Sequence, residues 1–240
     1  MSLTIDFSGK AVVVTGGTGG IGLRLARAFA EAGAQVTATG ATEAEVAGAG
    51  AHPGVGLRVL DVRDDAAVQA FAETEGPLAA LVNCAGANLR AAELAPEGFA
   101  TVVDINLNGT MRTSYAFREK LANGGAILNF CSMFSFFGAP HAPGYAASKG
   151  GVAQLTKSLA IAFAADGIRV NALAPGWIET PMTAVPRGNP VRSAELVGRT
   201  PLGRWGTPDD VVGPALFLCS PLAGFVTGVI LPVDGGYLVA

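Results

Sequence analysis

The sequence predicts an α/β fold in which one parallel sheet of about seven strands carries helices on both faces. Short apolar, β-branched runs alternate with longer segments of helical periodicity, and the connections between them are short. Half of the 240 residues are hydrophobic and only 15% are charged, which allows a large core. Since we find neither a linker nor a repeat, we expect one doubly wound, Rossmann-type domain over residues 1–240.

The first half of the chain opens with a continuous apolar run at residues 10–15, which is typical of a strand buried on both faces. Residues 21–32 then place apolar side chains at helical spacing. By the same criteria, this half also contains strands at 35–39, 57–60 and 79–83 and a helix at 64–74.

The second half continues the alternation. It is predicted to contain helix from 96 to about 123, a strand at 126–131, a long helix at 145–165, a strand at 168–173, a helix at 208–219 and a last strand at 229–233. Pro232 in the last strand indicates an edge position, because proline cannot donate a hydrogen bond to a neighbouring strand.

A glycine-rich turn at residues 15–22 (TGGTGGIG) joins the first strand to the first helix. It fits G-x-G-x-x-G from Gly17 and a wider G-x-x-x-G-x-G from Gly16. Such turns bring backbone amides and a helix N-terminus close to a pyrophosphate. The alternative interpretation of the same glycine pattern is a turn that only packs the helix on the strand. A P-loop is excluded because Leu23-Arg24 stands where Lys-Ser/Thr is required.

The end of the second strand bears on the choice between NAD and NADP. Gly40 stands near the place where an acid usually binds the ribose 2′-hydroxyl. Because that acid would repel a 2′-phosphate, its absence slightly favours NADP(H), yet no Arg or Lys follows to bind the phosphate. In the absence of an acid at position 40, Glu43 could approach the ribose. The alternative interpretation of Glu43 is a solvated residue at the start of a helix. The cofactor expectation is therefore NAD(P)(H), with NADP(H) slightly favoured.

Tyr145 and Lys149 are four residues apart at the start of a helix, so their side chains share one face. An ammonium beside a phenol stabilises the phenolate and lowers the phenol pKa, which would let Tyr145 exchange a proton with an alcohol or carbonyl oxygen. Ser132, at the end of the fifth strand, could hold the same oxygen by a hydrogen bond. A solvated surface pair is the alternative interpretation of this common spacing.

With these motifs in order, the chain resembles the short-chain dehydrogenase/reductase family over essentially its whole length. The matching pieces are residues 15–22, Asp61-Val62, residues 83–86 (NCAG), Asn106, Ser132, Tyr145-x-x-x-Lys149, Pro175-Gly176, Thr180 and residues 233–236 (VDGG). The family usually has two asparagines where this chain has Asn83-Cys84.

The resemblance implies four catalytic residues, Asn106, Ser132, Tyr145 and Lys149, with Asn106 holding a water that relays protons to Lys149. It also implies a set of cofactor-binding residues, in which Asp61 and Val62 flank the adenine. That set is Gly16, Thr18, Gly20, Ile21, Gly22, Thr39, Asp61, Val62, Asn83, Ala85, Gly86, Tyr145, Lys149, Pro175, Gly176, Ile178 and Thr180.

The substrate side is predicted to be apolar, because residues 133–137 (MFSFF) follow the serine, although Phe136 and Phe137 may equally belong to the core. A Pro-, Gly- and Arg-rich stretch at about 181–204 resembles the family's mobile substrate lid. Arg187 and Arg192 there are interpreted as solvated charges, and contact with an anionic substrate is the alternative. The predicted substrate contacts are Asn88, Leu89, Ser132, Met133, Phe134, Tyr145 and Trp177.

We therefore expect an NAD(P)(H)-dependent oxidoreductase that interconverts a secondary alcohol and a ketone, with Tyr145 as general acid/base. A non-catalytic dinucleotide sensor or interaction protein is the alternative. A methyltransferase would leave the Tyr–Lys spacing unexplained, and a serine hydrolase would need a G-x-S-x-G motif. The sequence leaves the substrate open, whether sugar, polyol, 3-oxoacyl thioester, terpenoid or steroid.

The remaining expectations concern partners and location. A net charge of −3 gives no reason to bind nucleic acid, and two histidines make a metal site improbable. The N-terminal MSLTIDFSGK has no signal-peptide pattern, no apolar run is long enough for a membrane helix, and three scattered cysteines fit a reducing compartment. We expect a cytoplasmic protein, and the family resemblance implies a homotetramer.

Overall fold

The computed structural model describes residues 5–240, so the first four residues of the N-terminal stretch considered above lie outside the described part. Seven parallel strands form one sheet in the order β3-β2-β1-β4-β5-β6-β7, which confirms the predicted fold class. The strands are β1 Ala11–Thr15, β2 Gln35–Gly40, β3 Val55–Val59, β4 Ala80–Asn83, β5 Ala126–Phe130, β6 Arg169–Pro175 and β7 Ile230–Val233.

The helices connect these strands and cover both faces of the sheet. They are α1 Gly20–Glu31, α2 Glu43–Gly48, α3 Asp65–Thr74, α4 Pro96–Val103, α5 Gly109–Ala116, α6 Arg118–Leu121, α7 Pro143–Ala162, α8 Ala184–Gly188, α9 Pro190–Arg199 and α10 Pro208–Cys219. None of the helices in the described part of the chain has the length and apolar character needed to cross a membrane.

Strand β1 shows how the sequence builds two hydrophobic layers. Val12 and Val14 point to one face and pack in a cluster with Leu25 of α1 and Val211 of α10. Val13 points to the opposite face and packs in a second cluster, with residues of α3 and α7. This alternation explains the continuous apolar run, because a strand covered by helices on both sides needs apolar residues at every position.

The predicted helix from 96 to about 123 is in fact divided into several segments. A π-helical turn, Asp104–Asn108, joins α4 to α5, and Phe117 separates α5 from α6. Gly109 begins α5 in close contact with Val62, since a Cβ there would lie 2.6 Å from Val62 Cγ2. Hydrophobic periodicity predicted helix here but could not locate these interruptions.

Two edge strands show where the strand predictions held and where they shifted. The third strand was predicted at 57–60, but β3 covers Val55–Val59 and is largely solvent-exposed, so its apolar pattern is weak. The predicted edge position of Pro232 is confirmed, because β7 ends the sheet. The strand order reverses between β1 and β4, and in such sheets ligands bind outside the carboxyl ends of the strands at this point.

Candidate active site

A cleft of about 710 Å³ opens at the carboxyl edge of the sheet, above β1 and β4. The segments after six strands, β1 to β6, converge on it, which is why motifs far apart in the sequence meet there. The predicted site residues that line it are Gly16, Thr18, Gly20, Ile21, Gly22, Asp61, Val62, Ala85, Gly86, Ser132, Tyr145, Lys149, Pro175, Gly176, Ile178 and Thr180.

The glycine turn forms the floor of the cleft, and at two of its positions a side chain would not fit. Gly16 has φ +64°, and a Cβ on it would lie 2.6 Å from Ala85 Cα. A Cβ on Gly22 would collide with the carbonyl oxygen of Gly16. By contrast, a Cβ on Gly19 would meet nothing within 4 Å among the described residues. Two glycines therefore permit close packing, and a third leaves open space over the turn.

Helix α1 begins at this open space, with Gly19 as its N-cap residue. Within residues 5–240, no side chain caps this terminus, so its first amides face the cleft without a side-chain acceptor. An uncapped helix N-terminus attracts anions through its free N–H groups and its dipole. The turn therefore suits the pyrophosphate of a dinucleotide.

The end of the cleft next to β2 and β3, where the family resemblance implies that the adenosine binds, carries both acidic and basic groups. Asp61 accepts a two-pronged hydrogen bond from Arg63, and this bond holds the pKa of Asp61 below its usual value. Glu45 of α2 lines the cleft and accepts a hydrogen bond from the Ala41 amide at 2.8 Å. Glu43, considered as a ribose ligand from the sequence, does not belong to the cleft lining. The acid near the end of β2 is thus Glu45.

Gly40 at the end of β2 is packed from both sides. A Cβ there would lie 2.7 Å from Thr18 Oγ1 and 3.1 Å from Glu45 Cβ. The space that an acidic side chain would need at position 40 is thus filled by the side chain of Thr18. The structure gives a steric reason for glycine at this position.

Ser132, Tyr145 and Lys149 converge on one wall of the cleft. Ser132 and Lys149 are each 5% exposed, and Tyr145 is partly buried. Lys149 Nζ donates a 2.6 Å hydrogen bond to the carbonyl oxygen of Phe130 and lies 5.7 Å from the centroid of the Tyr145 ring. A short 3₁₀ turn after β5 fixes Ser132, whose Oγ accepts a hydrogen bond from the Phe134 amide.

The electrostatics of the free chain differ from the expectation that Lys149 lowers the phenol pKa. Burial raises the pKa of Tyr145 to about 12, while a hydrogen bond with Ser132 acts in the opposite direction. Burial also lowers the pKa of Lys149. The same desolvation raises the pKa of Cys84 to about 12 and that of Cys131 to about 11. In the chain by itself, burial therefore favours the neutral phenol.

Asn106 lies in the π-helical turn and is fully buried. Its Oδ1 accepts a hydrogen bond from the Ala87 amide at 2.8 Å, and its Nδ2 donates to Ala87 O and Ser148 Oγ, each at 3.0 Å. A Cβ on Gly86 would lie 3.3 Å from Asn106 Oδ1 and 3.7 Å from Lys149 Nζ. Asn106 thus fixes the loop after β4 against α7, beside Lys149.

Two predicted cofactor residues lie below the cleft rather than on its lining. Asn83 is buried and donates hydrogen bonds to Ser114 Oγ and Asn129 Oδ1, each at 3.0 Å, so its side chain joins β4 to β5 and α5. Thr39 is also buried, and its carbonyl oxygen accepts a hydrogen bond from the Gly17 amide. Both residues support the floor of the site.

Aromatic rings form the predicted substrate side. The Phe134 ring meets the rings of Tyr145 and Trp177 edge-on, each at a centroid distance of 6.2 Å, and that of Phe137 at 5.3 Å. Trp177 in turn contacts Tyr237. An aromatic wall therefore extends outward from the proposed catalytic tyrosine.

Other predicted substrate residues occupy different environments. Met133 is buried under the wall, whereas Leu89 is 42% exposed. The Asn88 side chain accepts a hydrogen bond from the Arg90 amide at 2.9 Å and so stabilises its own loop. Ser132 and Tyr145 are the two predicted substrate contacts that also line the cleft.

The predicted lid segment contains helices α8 and α9 as well as a 3₁₀ turn, Pro181–Thr183, whose three residues line the cleft. Arg187 forms an ion pair with Glu179, and Arg192 with Glu195, all four side chains being exposed. Arg90 Nη2 donates a 2.8 Å hydrogen bond to the carbonyl oxygen of Met182, which joins this segment to the loop after β4.

Glu93 is the main site residue that sequence reasoning missed. It is 1% exposed, and its carboxylate accepts hydrogen bonds from the amides of Leu89, Arg90 and Tyr145. Glu93 lies in a short 3₁₀ turn, Arg90–Leu94, and an acidic residue there gives no sequence signal of burial. Further cleft-lining residues outside the prediction are Gly19, Ala41, Glu45, Gly48, Leu60, Arg63, Cys84, Ala87, Ile105, Phe130, Cys131, Pro181, Met182 and Thr183.

Comparison with known proteins agrees with this geometry. A family model described as enoyl-(acyl carrier protein) reductase matches residues 16–238. A 2-dehydro-3-deoxy-D-gluconate 5-dehydrogenase of Pseudoalteromonas atlantica is 40% identical over 97% of each chain, and a galactitol 2-dehydrogenase (L-tagatose-forming) of Cereibacter sphaeroides is 42% identical over 96% of each.

Among solved structures, a gluconate 5-dehydrogenase of Burkholderia cenocepacia in complex with NADP and tartrate superimposes with a TM-score of 0.91, at 34% identity over 98% of each chain. The resemblance inferred from the motifs is thereby confirmed. The chain is an NAD(P)-dependent oxidoreductase that acts on CH–OH groups, and it belongs to the short-chain dehydrogenase/reductase family.

Proposed function

We propose that Tyr145 is the general acid/base in the interconversion of a secondary alcohol and a ketone at this cleft. The observation that carries the proposal is the convergence of Ser132, Tyr145 and Lys149 on the wall of one cleft whose floor is the glycine turn. Ser132 holds the substrate oxygen, and Tyr145 gives that oxygen a proton in reduction or takes one in oxidation. Lys149 stabilises the phenolate form of Tyr145.

The residues of the cleft fit a dinucleotide. The uncapped start of α1 and the open space over Gly19 would hold the pyrophosphate, and Asp61 and Val62 would flank the adenine. Pro175, Gly176, Ile178 and Thr180 would line the nicotinamide, and Lys149 would hold its ribose. When bound, the nicotinamide cofactor supplies or accepts the hydride.

The order of preference between the cofactors depends on charges at the adenosine end. Thr18 fills the place of the usual acid at Gly40, which favours NADP(H) as the sequence predicted. Glu45 contributes a carboxylate to the same end of the cleft and disfavours a 2′-phosphate. NADP(H) therefore stays our predicted cofactor, with Glu45 as the group that limits its affinity.

The substrate side favours an alcohol whose reacting carbon adjoins an apolar ring or chain. Phe134 packs edge-on against Tyr145, and Phe137 and Trp177 pack against Phe134 in turn. Aromatic surface of this kind binds apolar groups by removing them from water. Arg187 and Arg192 form ion pairs at the exposed surface, and neither belongs to the cleft lining. Asn88, Met133, Phe134 and Trp177 remain the proposed substrate contacts beyond Ser132 and Tyr145.

The test is a fluorescence titration of the purified protein with NADH and NADPH, followed by turnover of secondary alcohols and ketones monitored by nicotinamide absorbance. One arm of the panel holds cyclic and long-chain alcohols, and the other holds polyols and sugar acids. Binding with faster turnover of the apolar arm is the expected result. Faster turnover of the polyol arm would contradict the apolar substrate class, and no turnover of either arm would contradict the proposed reaction.

We further propose a cytoplasmic homotetramer with α7 and the C-terminal segment at its interfaces, as the family resemblance implied. Ile161 on α7 is 80% exposed and Val239 is 89% exposed, which supports contacts at both places. Cys84, Cys131 and Cys219 are free thiols, in keeping with a reducing compartment. Sedimentation of the wild type and of Ile161→Asp tests the assembly, since the charged side chain should dissociate it.

A further inference from the structure

A buried carboxylate joins the substrate-side loop to the start of the catalytic helix. Glu93 Oε1 accepts hydrogen bonds from the amides of Leu89 at 2.7 Å and Arg90 at 3.2 Å, and its Oε2 accepts one from the amide of Tyr145 at 2.7 Å. The Glu93 side chain is 1% exposed, so its carboxylate is hydrogen-bonded to these three backbone amides instead of to water. Each of its oxygens thus serves a different part of the site.

The amide of Tyr145 depends on this carboxylate for a partner. Helix α7 begins at Pro143, so Tyr145 is its third residue, and the first amides of a helix lack an intrahelical acceptor. The N-cap residue, Ala142, offers no side-chain acceptor. Glu93 takes that role from a distant loop, and its negative charge is stabilised at a helix N-terminus. The backbone of the proposed general acid/base is therefore held by Glu93.

The other end of the carboxylate fixes a loop in an uncommon conformation. Arg90 has φ +54°, which non-glycine residues rarely adopt, and its amide is held by both Glu93 and Asn88. From this position the Arg90 guanidinium reaches the Met182 carbonyl oxygen at 2.8 Å. The same carboxylate thus positions a residue that bridges to the cleft-lining turn Pro181–Thr183.

We propose that Glu93 is a positioning residue that holds Tyr145, the loop after β4 and, through Arg90, the Pro181–Thr183 turn in one fixed arrangement. It sets both turnover and substrate affinity without touching the substrate. The inference rests on the proposed function for its kinetic consequences, but its structural part, the protection of the Tyr145 amide, can be measured without any turnover.

Glu93→Gln is the informative variant because it keeps the shape and removes the charge. A glutamine has one acceptor oxygen, so its NH₂ group must face either the Tyr145 amide or the loop amides, and one side loses its hydrogen bond. Glu93→Asp keeps the charge, and Glu97→Gln is the matched control, since Glu97 is an exposed acid on the neighbouring helix α4.

The first readout is amide hydrogen exchange in the protein without substrate. In Glu93→Gln we expect exchange at Tyr145, Leu89 or both to accelerate by at least about tenfold, while Val152 in the middle of α7 keeps its wild-type rate. Glu97→Gln should exchange like the wild type at all of these positions. Unchanged exchange at both Tyr145 and Leu89 in Glu93→Gln would overturn the proposal, whether or not the enzyme turns over any substrate.

The second readout is kinetic and separates positioning from general loss of structure. We expect Glu93→Gln to lower kcat by about 10- to 100-fold and to raise the substrate KM, with cofactor affinity unchanged and with partial recovery in Glu93→Asp. A kcat and KM equal to those of the wild type would overturn the proposal. The proposal would also be overturned if the loss of activity came entirely from a smaller fraction of folded protein, with a normal kcat per folded molecule.

The pH profile adds a signature that a purely structural role would not produce. The charge of Glu93 is a small contributor to the raised pKa of Tyr145, after burial and the Cys84 and Cys131 thiols. Because Tyr145 must lose its proton to act as base in alcohol oxidation, removing this charge should move the acid-side limb of kcat/KM for oxidation to lower pH. Glu93→Asp should keep the wild-type limb, and a wild-type limb in Glu93→Gln would contradict the proposal. The groups that face Tyr145 are the Ser132 hydroxyl, the Cys84 and Cys131 thiols, the Lys149 ammonium and the Glu93 carboxylate.

Discussion

Lys149 Nζ donates a 2.6 Å hydrogen bond to the carbonyl oxygen of Phe130, the last residue of β5. This bond joins α7 to β5, and both residues line the cleft, with Nζ 5.7 Å from the centroid of the Tyr145 ring. Because Lys149 is buried, its position is set by the fold rather than by solvent. The ammonium proposed to assist Tyr145 is therefore held in place by the fold itself.

Replacing Lys149 with Met should abolish most turnover and weaken cofactor binding. The change removes the positive charge that stabilises the phenolate and the proposed contact with the nicotinamide ribose, so we expect kcat to fall by at least about 100-fold and the cofactor Kd to rise. Lys157→Met, which alters an exposed lysine of the same helix, is the control. Wild-type turnover in Lys149→Met would refute the assigned role.

The predictable part of the site is the part encoded by local pattern. The apolar run before Gly16 places the glycine turn at the end of a buried strand, and the i, i+4 spacing places Tyr145 and Lys149 on one helix face. Glu93 could not be found in this way, because its burial arises from contacts with Tyr145, 52 residues further along the chain. The local sequence around an acidic residue does not indicate whether its side chain is buried or solvated.

The lid segment shows a second limit of sequence reasoning. Its Pro, Gly and Arg content indicated a mobile substrate lid but located no helix in it, whereas α9 begins at Pro190, with the Asn189 side chain accepting a hydrogen bond from the Arg192 amide. An Asn-Pro pair is a common start for a helix and was the available signal. The π-helical turn at Asp104–Asn108, which depends on tertiary packing, had no comparable signal.

Removing the charge of Glu45 should shift cofactor preference towards NADPH. Glu45 lines the end of the cleft proposed for the adenosine, where its carboxylate would repel a 2′-phosphate. Glu45→Gln should therefore tighten NADPH binding by about fivefold, whereas the affinity for NADH, a molecule without the 2′-phosphate, should change less. Fluorescence titration at fixed ionic strength measures both constants. Glu43→Gln is the matched control, because Glu43 is not part of the cleft lining. An equal change in both affinities would contradict the role given to Glu45.

Buried thiols should make the fold sensitive to alkaline pH. Burial raises the pKa of Cys131 from 9.0 to about 11 and that of Cys219 from 9.0 to about 12. Between these values the unfolded thiols ionise and the folded ones do not, so their stabilising effect is complete below about pH 9 and is lost as the pH rises towards 12. Each group contributes at most about 1.4 kcal/mol for each pH unit in that window.

Urea unfolding across this window measures the loss as a falling free energy of unfolding. In Cys219→Ala, which changes the buried last residue of α10, outside the cleft lining, the slope of that free energy against pH should be shallower than in the wild type. The comparison uses slopes because the substitution itself lowers stability at every pH. An identical slope would show that the Cys219 thiol ionises equally in both states.

The measurement that tests the account most directly compares Tyr145→Phe with the wild type and with Tyr115→Phe, a change at an exposed helix position. Cofactor affinity is measured by titration and turnover by nicotinamide absorbance. The account predicts that Tyr145→Phe binds cofactor within about twofold of the wild type and loses at least about 100-fold in kcat, because the phenol oxygen is the proton donor and acceptor. Near-normal turnover in Tyr145→Phe would contradict the proposed mechanism.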